Sequence, residues 1–354
     1  MEGDRYQRKI EQLGRQGYPT VAALEVTERC NASCPYCYFN PGNRRRGLDT
    51  GQWRWVLDKL ADSGILNVLI TGGEPFIRDD ILDILRHAVL KDFFGIAVYT
   101  NGTLLRDEHF AFLAEYGNSI SEVKFSGFSH NPFVNDSYFG VPGATEKILH
   151  AGQRLMHDGV RVRMSLTALD FNVDSLSQTK EFFERYGFNV STAVFKILTT
   201  PTQRESLAGS TTRHFMDTCV GRIPPELQEA RKDYVRETMS PGGGTVALCQ
   251  GRLTSIMVDC LGGIAPCVAF RNLRVGSIFE NRSLCETLRA SSQRRQICRM
   301  TKEDIPHCAS CEYRRLCPVC LGRIHTLSGR LDAEDPQTCE HTKALHALCE
   351  ACCA

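Results

Sequence analysis

Cys30-Asn-Ala-Ser-Cys34-Pro-Tyr-Cys37 sets three thiols on a loop directly after the apolar, β-branched stretch Val21-Ala-Ala-Leu-Glu-Val26. The sulfurs therefore stand at the carboxyl end of a first strand. Three thiolates suit an iron–sulfur cluster. A four-iron cube held by three cysteines keeps one iron open to a small chelating molecule, and an open iron implies chemistry rather than electron storage. Structural zinc is the alternative. It normally closes its tetrahedron with four Cys or His ligands, and the next such residue along the chain is His87.

Working outward, 354 residues with 42% hydrophobic content can bury a large core, as one domain or two. The 42 basic and 41 acidic residues nearly cancel, which removes the general electrostatic argument for nucleic acid or an anionic membrane. The first residues, Met1-Glu-Gly-Asp-Arg-Tyr, have no apolar core like that of a signal peptide, and no run approaches the length of a membrane span. A cytoplasmic protein is expected. Seventeen cysteines, an odd count without an export signal, point to metal rather than disulfides. Three lie at 30–37, none at 38–218 and fourteen from Cys219 onward. That asymmetry predicts two domains.

Residues 4–17 read as a short capping helix within an amino-terminal piece, 1–20. From 21 to about 200, strand-like and helix-like stretches alternate in the pattern of a parallel α/β fold. The expected strands are Ala22–Val26, Leu66–Ile70, Gly95–Tyr99, Glu122–Phe125, Val160–Leu166 and Asn189–Phe195. Helices are expected near 50–63, 79–90, 106–115, 143–158 and 174–186, with Asp49 or Thr50 and Asp79 as amino-terminal caps. The proline- and glycine-rich 201–245 reads as a connector, and 246–354 as a cysteine-rich second domain.

The spacing C-x3-C-x2-C, with aromatic Tyr36 before the third cysteine, resembles the signature of the radical S-adenosylmethionine (radical SAM) enzymes. The resemblance implies a partial (β/α)6 barrel and a [4Fe–4S] cluster whose open iron is chelated by SAM. Reductive cleavage of SAM would then give a 5′-deoxyadenosyl radical that abstracts a substrate hydrogen. Barrel ligands gather at the carboxyl ends of the strands. After the second strand, Gly72-Gly73-Glu74-Pro75 resembles the family's G-G-E-P segment at the SAM amino group, with paired glycines for close backbone approach and Glu74 as acceptor for an ammonium. After the third, Asn101 within Thr100-Asn-Gly102 resembles a segment near SAM, although ordinary turn chemistry explains it equally well.

On the fourth strand many peptide-modifying relatives read Ser-x-Asp-Gly where this chain reads Lys124-Phe-Ser126-Gly127. Lys124 is a candidate for the methionyl carboxylate, and Ser126 for that group or a ribose hydroxyl. Arg163 on the fifth strand is another carboxylate candidate, on one strand face with Arg161; solvated arginines are the alternative. The long aromatic loop 127–143 reads as a substrate wall or as a cover of the barrel end, with His130 and Asp136 as candidate acid–base groups and a satisfied surface histidine as the favoured alternative for His130. Arg44-Arg45-Arg46 reads as a solvated loop or a contact for an acidic substrate.

In the carboxyl-terminal region Cys308-x2-Cys311-x5-Cys317-x2-Cys320, with Cys339 beyond it and Cys249-x12-Gly262-x4-Cys267 upstream, resembles the SPASM extension of radical SAM proteins, one spacer being a residue short. The resemblance assigns Cys308, Cys311, Cys317 and Cys339 to a distal auxiliary cluster, and Cys249, Cys267 and Cys320 to a nearer one. Cys260 is a candidate fourth ligand there, and 256–267 reads as a hairpin joining Cys249 to Cys267. Paired zinc sites are again the alternative. The remaining cysteines read as buried residues or tail, a hydrogen-atom donor in an epimerase being the alternative for one of them.

The resemblance favours modification of a ribosomally made peptide by thioether formation, C–C crosslinking or epimerisation. Its partners would be the peptide, a separate leader-recognition protein, and a flavodoxin or ferredoxin as reductant. A dehydrogenase or epimerase of a small molecule, such as an aminocyclitol or haem precursor, is the alternative. A sulfatase-maturing enzyme is disfavoured by Val268, where those relatives carry Asp.

Overall fold

The computed structural model describes residues 10, 12–14, 16, 18–37, 39, 47–167, 169, 171–193, 248, 249 and 251–351. Six parallel strands run through its first half: β1 (Val21–Glu25), β2 (Asn67–Thr71), β3 (Gly95–Thr100), β4 (Ile120–Gly127), β5 (Val162–Thr167) and β6 (Asn189–Ala193). Between them lie α1 (Thr50–Asp62), α2 (Ile81–Leu90), α3 (Asp107–Glu115), α4 (Pro132–Phe139), α5 (Ala144–His157) and α6 (Leu176–Arg185). Each strand pairs with its successor, as βαβ units in sequence require. The expected elements match these to within a residue or two. Residues 4–9, Arg44–Arg46, the connector 201–245 and Cys219, Cys352 and Cys353 lie outside the described residues.

Alternation sets the two faces of the sheet. On β4, Val123 and Phe125 are fully buried against the helices, while Glu122, Lys124 and Ser126 project half-buried to the opposite, lumenal face. On β5, Val162, Met164 and Leu166 pack outward, and Arg163, Ser165 and Thr167 face the lumen. Helix α1 starts at Asp49 through a capping box, Gln52 N–H donating to its carboxylate at 2.8 Å and the Gln52 side chain accepting from Asp49 N–H at 3.0 Å. The cap of α2 is Asp80, not Asp79. Its carboxylate caps nothing because Arg78 takes it at 2.7–2.8 Å.

The loop 127–143 contains helix α4, unexpected from sequence. Pro132 opens it, the Asn131 side chain caps it by accepting from Phe133 N–H at 3.0 Å, and Gly140 closes it at φ 67°. The aromatic spacing that suggested a wall is in part a helix packing its own face.

Beyond the connector come α7 (Gly251–Thr254), β7 (Ser255–Val258), β8 (Gly263–Ala265), β9 (Gly276–Ser277), α8 (Leu284–Ala290), α9 (Ser292–Arg299), α10 (Pro306–Ala309), α11 (Leu321–Ser328) and α12 (Pro336–Ala351). Strand β7 runs parallel to β1 on the edge away from β2, Ala22 opposite Ile256 and Leu24 opposite Val258. With antiparallel β8 and β9 it makes a nine-stranded sheet, so the cysteine-rich region begins inside the sheet of the barrel. A second core of Leu248, Phe270, Ile297, Ile305, Val319, Leu321 and Ile324 holds the helices behind it. Among the described residues, no helix is long and apolar enough to cross a membrane.

Candidate radical site and auxiliary cysteines

The cysteine loop leaves β1 and is tied down on both sides. Ser33 N–H donates to the Phe139 carbonyl at 2.9 Å, and Cys37 N–H to that of Cys34 at 3.0 Å. A Cβ on Gly140 would lie 2.1 Å from the Ser33 hydroxyl, so the end of α4 must be glycine for this approach. From β3, the Asn101 amide donates to Asn31 at 2.8 Å and toward the Cys30 sulfur at 3.8 Å, while its carbonyl accepts from Thr103 at 2.7 Å. Asn31 in turn donates to the Thr103 hydroxyl at 2.8 Å. All three cysteines stay partly exposed. Burial pushes the Cys30 thiol up to about 11, so the proton leaves only when a cation takes its place.

Gly72 and Gly73 serve this loop. A Cβ on Gly72 would come within 2.4 Å of the Thr27 carbonyl oxygen, and one on Gly73 within 2.3 Å of that of Arg29. Gly73 N–H donates to Thr27 at 2.8 Å and Glu74 N–H to Arg29 at 2.9 Å. The glycines thus lay the β2 loop on the chain that leads into Cys30. Glu74 is fully buried, accepting from the Thr100 hydroxyl at 2.7 Å, Asn101 N–H at 2.7 Å and Phe76 N–H at 3.1 Å. Burial raises its carboxyl to about 7. The side chain expected to meet an ammonium is instead enclosed and joins β2 to β3, while buried Pro75 opens a short 3-10 turn over it.

Across the lumen, Lys124 stands 4.7 Å over the Tyr99 ring, and Arg163 pairs with Glu122 at 3.0 Å. Parallel register places Lys124 beside Arg163, and Ser126 beside Ser165, which neighbours Ser191. Lys124 and Arg163 thus form one layer, and Ser126, Ser165 and Ser191 the next toward the carboxyl ends of the strands, while Arg161 is exposed. His130 and Asp136 are not placed for acid–base work. His130 N–H donates to the Thr179 hydroxyl at 3.1 Å, and Asp136 accepts from Gly143 N–H at 2.8 Å and Thr145 N–H at 2.7 Å, fixing the start of α5.

Sequence reasoning missed two features. Tyr36 stacks on Tyr138 at 5.9 Å and Tyr138 on Phe171 at 4.2 Å, an aromatic ledge beside the cysteine loop. The partners are 33 to 102 residues apart, beyond any local pattern. Glu25, 1% exposed at the lumenal end of β1, receives Arg271 Nε at 2.8 Å. Arg271 follows Cys267 closely and also lies 3.7 Å from Glu28 and 4.0 Å over the Phe39 ring. Burial nevertheless raises the Glu25 carboxyl.

The later cysteines fall into two groups. Cys308, Cys311, Cys317 and Cys339 line one cavity together with Lys302, which is buried and donates to the Cys317 carbonyl at 2.7 Å. Cys249 N–H donates to the Val319 carbonyl at 3.4 Å, next to Cys320, and burial, with the charges of Cys320 and Cys249 behind it, pushes up the Cys267 thiol. Cys260 lies between the two strands of the hairpin. It is fully buried in the β7–β8 turn, its carbonyl accepting from Leu48 N–H at 2.9 Å, whereas Cys249 and Cys267 flank the opposite end of that hairpin. Among the described residues, no three Cys, His, Asp or Glu converge on one point tightly enough for a single metal ion.

Residues 24–184 match the radical SAM superfamily. Over nearly its whole length the chain is similar to the AdoMet-dependent heme synthase of Nitratidesulfovibrio vulgaris, 25% identical with 90% of this chain and 92% of that protein covered. Over 44% of its length it is 35% identical to the subtilosin biosynthesis protein AlbA of Bacillus subtilis, of which 34% is covered. Its fold matches Streptococcus suis SuiB bound to the precursor peptide SuiA, with a TM-score of 0.72 at 17% identity over 94% of this chain and 80% of that one. Residues 24–184 are a radical SAM domain, of a superfamily whose enzymes use a [4Fe–4S] cluster and SAM, and a cysteine-rich region follows it.

Proposed function

We propose that the chain modifies a ribosomally made peptide by hydrogen abstraction, using two auxiliary clusters held by its carboxyl-terminal cysteines. When bound at Cys30, Cys34 and Cys37, the cluster and SAM supply a 5′-deoxyadenosyl radical that removes a substrate hydrogen. The chain's own residues arrange this. Asn101 and Thr103 hold the cysteine loop, the Gly72–Gly73 backbone rather than the Glu74 carboxylate faces the SAM amino group, and Lys124, Ser126 and Arg163 hold its carboxylate and ribose. Tyr36 offers its ring to the adenine side. Cys308, Cys311, Cys317 and Cys339 hold one auxiliary cluster, and Cys249, Cys267 and Cys320 the other, as an exit for the substrate's electron. The observation that carries this reading is the segregation of those seven thiols into two groups in the same chain as the three-cysteine loop.

A peptide substrate is supported by the barrel half, where 35–39% identity links the chain to AlbA and to the PqqA peptide cyclase of Rhodopseudomonas palustris. The second reading, oxidation of a haem precursor, draws on the full-length similarity to heme synthases. Both are tested with anaerobically reconstituted protein, SAM and reductant. Replacing Cys30, Cys34 and Cys37 by Ala should abolish 5′-deoxyadenosine release while leaving auxiliary iron bound; unchanged release would sink the radical site. Mass spectrometry of a precursor peptide encoded beside the gene, reacted in deuterium oxide, should show loss of hydrogens or, for epimerisation, uptake of deuterium. An unaltered peptide alongside an oxidised haem precursor would decide for the second reading.

A further inference from the structure

The cavity lined by Cys308, Cys311, Cys317 and Cys339 also takes in Lys302. This lysine opens the short 3-10 turn Lys302–Asp304, and its side chain runs inward to 4% exposure. Nζ donates to the Cys317 carbonyl at 2.7 Å and to that of Arg314, and no carboxylate lies within ion-pair distance of it among the described residues. The other cations of the lining are placed differently. His307 pairs with Glu334 at 2.7 Å and Lys343 with Glu340 at 3.1 Å, while Arg314 is exposed and donates to the Ala309 carbonyl at 2.6 Å. Salt and solvent screen exposed charges but not a buried ammonium. Burying an ammonium against neutral carbonyls alone is costly, and a nearby anion offsets the cost. Burial lowers the Lys302 pKa, and the charges of Cys317, Cys308, Glu303 and Cys311 oppose that fall. Four sulfurs around one cavity, with no Asp or Glu in its described lining, are the donor set of a [4Fe–4S] cluster. Thiols that hold metal are thiolates, and four of them outweigh the charge of the core. The loaded site is therefore a net anion, and an added electron makes it more so.

We propose that the buried charge of Lys302 sets the reduction potential of the distal auxiliary cluster, favouring its reduced form and so making this site a better acceptor for the electron that leaves the substrate. This role rests on the assignment of the four cysteines to a cluster. Net charge and hydrogen bonding around a cluster are levers on its potential, and a unit charge close by in a protein interior shifts such an equilibrium by at least about tenfold.

Redox titration of the reconstituted full chain, followed by electron paramagnetic resonance, tests this. The distal signal is the one that Cys308→Ala/Cys311→Ala removes, with loss of about four irons; no such loss overturns the cluster assignment and the role of Lys302 together. Lys302→Gln keeps N–H donors for the two carbonyls and removes the charge. Its distal midpoint should fall by at least about 59 mV, a tenfold change in a one-electron equilibrium, with iron content and the other signals unchanged. Lys302→Arg, which keeps the charge, should keep the midpoint. An unmoved midpoint in Lys302→Gln, or an equal fall in Lys302→Arg, overturns the role of the charge while the cluster assignment stands. If Lys302→Gln binds no distal cluster, Lys302→Met is titrated in its place. Failure of both neutral variants to load the cluster also overturns the proposal, since the charge then serves assembly and not potential.

Discussion

At the scale of single residues, Asn101 shows how a side chain outside the cysteine motif prepares the cluster site. Its amide reaches the Cys30 sulfur and Asn31 while its carbonyl is held by Thr103. Hydrogen bonds to cluster sulfurs raise reduction potential, so Asn101→Ala should move the potential of the SAM-binding cluster downward in a spectroscopic redox titration. An unmoved potential would leave Asn101 a turn residue. Glu74 teaches a different lesson, for its type and position in Gly-Gly-Glu-Pro are legible from sequence, yet which group its oxygens accept from is not. Three donors on two loops claim it, a fact of packing rather than of spacing.

At the scale of elements, the glycine pair and α3 each make a testable claim. Gly73→Ala would force the β2 loop off the Arg29 carbonyl, and such overpacking costs about 1–3 kcal/mol. Chemical denaturation should show that loss, together with lower iron content at the cysteine loop. Helix α3 begins where His109 Nδ1 accepts from Arg106 N–H at 3.0 Å, with the ring 1% exposed. Burial, aided by the Arg106 charge, lowers its pKa below the ordinary 6.5. The unfolded chain then binds this proton more readily than the folded one, so the stability it contributes is complete above about 6.5 and is lost as pH falls below that value. His109→Gln should flatten that segment of a stability–pH profile measured by urea unfolding. The strands and most helices were legible because burial on one face leaves a period in the sequence. Helix α4 was not, since proline, asparagine and aromatic residues read locally as turn and the caps that make them helical became visible only in place.

At the scale of the whole molecule, the Glu25–Arg271 pair fastens the cysteine-rich region to the barrel. Removing one partner of a buried ion pair costs about 3–5 kcal/mol, so Arg271→Met should destabilise by that order. Glu25→Gln added to it should recover part of the loss in a double-mutant cycle; simple additivity would show that the two do not couple. By itself the sequence determined the three-cysteine loop and the alternation of a parallel α/β fold, because each rests on spacing between near neighbours. Only the tertiary structure decided that β7 joins β1, that Cys260 is buried in the β7–β8 turn, that Glu74 is sealed, and that four arginines line one groove. Those outcomes depend on which surfaces meet across long stretches of chain, up to 246 residues for Glu25 and Arg271. Contacts at that separation are selected by packing and burial of the whole fold, and leave no local period to read.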